Sequence, residues 1–206
     1  MKKIISVLAF TVTFLSACVT SRDPMQNYEK FKSNSNLFSV IQTNDNALNE
    51  IQKSVKNINT KVNSQLNNYY KATQNNSLYN EFIAEVQKVR SAKRDITASE
   101  ALLHAENALI AYHNISSNDV DKAVNQGLSL VNRLNPASKI QELTSIVNEL
   151  NSIKSNLGKI KTDFNLNDSA NLTKIRAATS VTEQIIYCLD ATQFLINQYQ
   201  SATLIK

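Results

Sequence analysis

Residues 36–73 read NLFSVIQTNDNALNEIQKSVKNINTKVNSQLNNYYKAT, and their apolar spacing decides the fold class. Leu37, Ile41, Leu48, Ile51, Val55, Ile58, Val62, Leu66 and Tyr69 recur at steps that mostly alternate four and three. That period lines them along one seam of a long helix of the coiled-coil kind. At about 1.5 Å per residue the helix would be roughly 55 Å long. Asn44 fills one expected apolar slot, where it would either fix register or mark a frayed start. The flanks are mostly Asn, Ser, Thr, Gln and Lys, so few charge pairs could select a partner helix. The seam could close within the chain or zip to a second copy.

Working outward, Gln74 to Ser77 breaks the pattern, with Ser77 as the expected cap of a helix carrying Leu78, Phe82, Val86 and Val89. Thr97-Ala98-Ser99-Glu100 matches a capping box, in which a hydroxyl and a carboxylate satisfy orphan backbone donors. It predicts a helix to His113 with Ala101, Leu102, Ala105, Ala108, Leu109 and Tyr112 inward, the joint near Asp95 to Thr97 being either a bend or a break. Ser116 to Asn118 mark a turn, then Val120, Val124, Leu128, Val131 and Leu134 a short helix. Asn135-Pro136 pairs a cap with a proline at the first helical position. The next stripe is Ile140, Leu143, Val147, Leu150, Ile153, Leu157, Ile160 and Phe164, with Gly158 as a fray or a close crossing. The last helix, 170–203, is apolar around much of its middle and is expected at the centre of the bundle. Two glycines and two prolines leave few corners for a sheet or a loop-rich fold. Asn occurs 27 times, which lowers helix propensity and leaves packing to hold the helices. The fold class expected is all-α: an elongated antiparallel bundle of five to six helices with coiled-coil-like packing, over residues 36–206.

Chemistry is sparse. The only histidines, His104 and His113, are nine residues apart, and Glu100 with His104 could share a surface metal or a hydrogen bond. Their default reading is an exposed polar face. Glu81 and Glu85 read as helix surface before they read as an acid–base pair. Tyr69-Tyr70 reads first as core and second as a contact patch. No GxSxG, HExxH or glycine-rich phosphate loop occurs. No catalytic, cofactor or metal residues are therefore assigned. The formal charge is +5, too scattered for a nucleic-acid surface. Its densest cluster, Lys88, Arg90, Lys93 and Arg94, is expected on a wet helix end complementing the C-terminal dipole, with anionic lipid or polymer binding as the alternative.

The first twenty residues carry the address. Lys2 and Lys3 precede the apolar run Ile4 to Leu15, which is too short to span a bilayer comfortably and is closed by Leu15-Ser16-Ala17-Cys18. This arrangement resembles the lipobox of bacterial lipoproteins. The resemblance implies that residues 1–17 are a signal peptide and that Cys18 is joined to diacylglycerol through sulfur and N-acylated, palmitate being the usual label. Residues 18–35 would then be the lipidated cysteine and a flexible tether, with a helical turn near Tyr28 to Lys32. Val19, where Asp would signal inner-membrane retention, implies the outer membrane of a two-membrane cell. Cys188 would be the one remaining thiol, a small buried hydrophobe by default and a reactive or bridging thiol otherwise. The function expected is a non-enzymatic, lipid-anchored envelope lipoprotein that touches membrane lipid through acylated Cys18 and a protein partner through its helices. No nucleic acid is expected, and a homo-oligomer could form through the 36–73 helix. The alternatives are a small-molecule carrier or enzyme with a site inside the bundle, or an exclusion or immunity-type lipoprotein.

Overall fold

A computed structural model describes residues 28–32, 38–93, 95–160 and 167–205. The expected signal peptide 1–17, Cys18, Val19, Leu37, Arg94 and Phe164 lie outside the described residues. Within these, six helices form the body: α1 Asn46–Thr73, α2 Ser77–Ala92, α3 Ala98–His113, α4 Ser117–Asn132, α5 Pro136–Leu157 and α6 Ser169–Thr203. No strand occurs among the described residues, and the helices pack on one another as a bundle.

Helix α1 is shorter than its apolar spacing predicts, 28 residues or about 42 Å. Asp45 ends the pattern early by accepting a bond from the Leu48 N–H at 3.0 Å, the N-cap arrangement. Asn44 lies in a bend outside any seam. Upstream, residues 38–43 are not helical, and Ile41 and Thr43 are held to the helix by two side-chain amides. Gln52 accepts from the Ile41 N–H and donates to the Ile41 carbonyl, both at 2.7 Å. Asn49 does the same for Thr43, at 3.0 and 2.8 Å. Further upstream still, residues 28–32 form the expected helical turn. It is not part of a free tether: Tyr28 and Phe31 are buried in the main core. Tyr28 stacks on Tyr70 at 3.9 Å between ring centroids, and Phe31 meets Phe194 at 5.5 Å. Two aromatics three residues apart on one helical turn fill a groove that α1 and α6 leave open. The described parts of 28–45 thus behave as a strap on the body.

The seam of α1 closes inside the chain, since Leu48, Val55, Ile58, Val62, Leu66 and Tyr69 are all buried there. Helix α6 is its main cover and also touches α2, α4 and α5, so it is central as expected. The two longest helices run parallel rather than antiparallel. Asn59 and Asn63 of α1 meet Cys188 and Tyr187 of α6, while Tyr69 donates to Gln198. Helix α5 returns between them in sequence and runs against both, with Gln65 of α1 donating to Glu142 at 2.9 Å. A second cluster, Phe82, Val86, Ala101, Ala105, Leu109, Val120 and Val124, joins α2, α3 and α4. Helix α2 links the clusters: Tyr79 and Ile83 face the first, Phe82 and Val86 the second.

Local expectations fare unevenly. The Thr97–Glu100 capping box and the Asn135–Pro136 start are present. Asn76, not Ser77, caps α2, because its Oδ1 takes the Tyr79 N–H while its Nδ2 reaches the Ala123 carbonyl. The joint between α2 and α3 is a break, and the two helices fold back on each other. Helix α5 ends at Leu157, with Gly158 as its C-cap and no close crossing there. Tyr112 was expected inward but is 68% exposed. It shares a face with the buried Ala101, Ala105 and Leu109 but opens into the groove between α2 and α3.

Candidate contact surfaces

Most residues with chemical potential are engaged in local pairs. Glu100 accepts from the Thr97 backbone and hydroxyl, which hold its carboxyl below the usual range. His104 beside it is exposed. Cys188 is fully buried between Gln184 and Asn59, and desolvation pushes its thiol up to about 11. A thiol held neutral in this way is a poor nucleophile. Lys88, Arg90 and Lys93 stand exposed toward the end of α2, with Arg90 in its last turn and Lys93 at its C-cap, where positive charge complements the dipole. No group of three or more His, Cys, Asp or Glu that could hold a metal ion occurs among the described residues.

Two surfaces stand out among the described residues. The first is an open groove of about 650 Å³ between α2 and α3. Folding α3 back on α2 brings His113 Nε2 to 2.7 Å from Glu81 Oε2. Glu85 pairs with Lys88 at 3.0 Å on the same wall, and Tyr112 closes one end. The sequence paired Glu81 with Glu85 and named His113 apart from them; only the α2–α3 register brings His113 to Glu81.

The second surface is the outer face of α1 beside the strap, an open groove of about 590 Å³. Asn59, Asn63 and Asn67 stand one turn apart on it. Asn63 donates to Asn59 Oδ1 at 3.0 Å, and Tyr28 donates to Asn67 Oδ1. The Tyr187 hydroxyl lies 2.6 Å from Asn63 Oδ1 and 3.0 Å from the Phe31 carbonyl, with one proton to share between them. This row therefore latches the strap and α6 to α1. Sequence reasoning missed it, although asparagines at i, i+4 and i+8 and the Tyr28/Phe31 pair in a polar stretch were visible signals. From Ile51 to Thr73 the helix carries Lys53, Lys56, Lys61 and Lys71 and no carboxylate. Lys53 bonds Glu50 at 2.7 Å; Lys56 and Lys71 line the groove.

No helix among the described residues is long and apolar enough to cross a membrane. No known protein family, characterised protein or solved structure matches the chain.

Proposed function

We propose that the protein is a lipid-anchored lipoprotein of the bacterial cell envelope that acts through contacts rather than catalysis. The observation that carries this reading is Leu15-Ser16-Ala17-Cys18 at the end of the apolar run Ile4 to Leu15. Acylation at Cys18 would make attachment effectively permanent, because each buried methylene contributes about 0.8 kcal/mol. Val19 directs the anchor to the outer membrane in a two-membrane cell. The contact reading draws support from the pairing of Glu81 with His113, Glu85 with Lys88 and Glu100 with Thr97, which leaves these groups committed to one another. It draws further support from open grooves on the surface, where a partner could lie.

Palmitate labelling of growing cells tests the anchor. The parent chain should take label and fractionate with membranes, and Cys18→Ala should do neither. Undiminished label on Cys18→Ala would end the reading. Crosslinking in the same cells should capture a protein partner through the helical body.

A further inference from the structure

We propose that the outer face of α1 between Lys56 and Lys71 rests on anionic phospholipid headgroups, an orientation that builds on lipidation at Cys18. Charge is the first argument. Lys56, Lys61 and Lys71 are exposed on a stretch of α1 without a single Asp or Glu. Among the described residues, the groove that Lys56 and Lys71 line contains no acidic side chain. Of the acidic groups by the strap, Asp190 on α6 faces Lys30.

Hydrogen-bond polarity is the second argument. Ser64, Asn67 and Asn68 lie between the two lysines in the groove. Asn67 has its Oδ1 occupied by the Tyr28 hydroxyl, so it presents its Nδ2 hydrogens. Ammonium, amide and hydroxyl groups all donate, and a phosphodiester oxygen only accepts. A row of donors spread over four turns suits a sheet of headgroups better than a single small anion.

The leash is the third argument. Ten peptide steps separate Cys18 from Tyr28, at most about 35 Å of extended chain. Tyr28 is stacked on Tyr70, the neighbour of Lys71. An acyl anchor at Cys18 therefore keeps this part of α1 within a distance shorter than the helix itself. Lysines held near an anionic leaflet are attracted to it, and salt weakens the attraction.

The test reconstitutes the full chain in vesicles of phosphatidylcholine alone or of phosphatidylcholine mixed with phosphatidylglycerol. An amine reagent then reports each lysine. Lys56 and Lys71 should react several-fold more slowly in the phosphatidylglycerol vesicles, with the protection lost in high salt. Lys122, exposed on α4, should react equally in both and serves as the internal reference. Lys56→Glu combined with Lys71→Glu should abolish the protection of Lys61 while leaving the helical circular dichroism intact. Equal labelling in the two compositions would overturn the proposal. So would a crosslink from Lys56 to an envelope protein in cells without any dependence on lipid charge. Retention through a high-salt wash reports the acyl anchor separately. A chain that washes off, yet shows charge-dependent protection beforehand, loses the anchor and keeps the face.

Discussion

At the scale of single residues, Gly127 shows how closely two helices can meet. A Cβ built on it would lie 2.2 Å from Tyr79 Cγ, and Tyr79 is fully buried. The ring has no empty space to enter, so Gly127→Ala must push α2 and α4 apart. Alanine favours the helix by about 1 kcal/mol over glycine. Overpacking costs about 1–3 kcal/mol, and the 2.2 Å approach puts this site at the upper end. A net loss of about 1–2 kcal/mol in urea unfolding is expected. An unchanged midpoint would mean that the helices are farther apart than described. Gly158→Ala is the control, since its Cβ would meet the Ser155 and Lys154 carbonyls at ordinary contact distances of 3.5 and 3.7 Å. It should leave stability unchanged or slightly raised.

At the scale of elements, the strap separates what periodicity can and cannot reveal. Phe31 is 7% exposed, packed on Phe194 and Tyr187. Phe31→Ala should therefore cost about 3 kcal/mol, the usual loss for a buried phenylalanine. A free tether would show no change, and thermal or urea melts distinguish the two. The existence of α1, α3 and α5 was legible because their apolar rows and the Thr97–Glu100 and Asn135–Pro136 starts are local signals. The true start of α1 was not. Leu37 and Ile41 keep the right spacing, and only the reach of Asn49 and Gln52 back to Thr43 and Ile41 reveals that the backbone at Ile41 to Thr43 is not helical. Tyr112 failed for a related reason: a helical row says which way a side chain points, not whether a neighbour covers it. The Glu81–His113 pair depends on the register of α2 against α3, which no spacing within either helix encodes. The proposed anchor at Cys18, by contrast, is read from the sequence alone.

At the scale of the whole molecule, the core is rich in phenols. Burial raises the pKa of Tyr69, Tyr79 and Tyr187, takes Tyr199 to about 12 and takes the Cys188 thiol to about 11. Each group is an acid whose charged form the fold disfavours. The stabilisation from keeping them neutral is complete below their ordinary values, near 9 for the thiol and 10 for the phenols. It is lost as pH rises through the raised values, because the unfolded chain releases protons that the native chain retains. Alkaline unfolding should be cooperative, with phenolate absorbance and loss of helical circular dichroism rising together. Phenolate appearing in full before any helix is lost would contradict the buried positions. The central place of α6 has a further consequence during synthesis. Tyr69 and Gln198 are partners 129 residues apart. While the ribosome is still making α5, the row from Leu48 to Tyr69 lacks its main cover, so the nascent polypeptide cannot collapse into its final form. For a chain exported as proposed, staying open until the sixth helix is finished would suit threading through a narrow translocon.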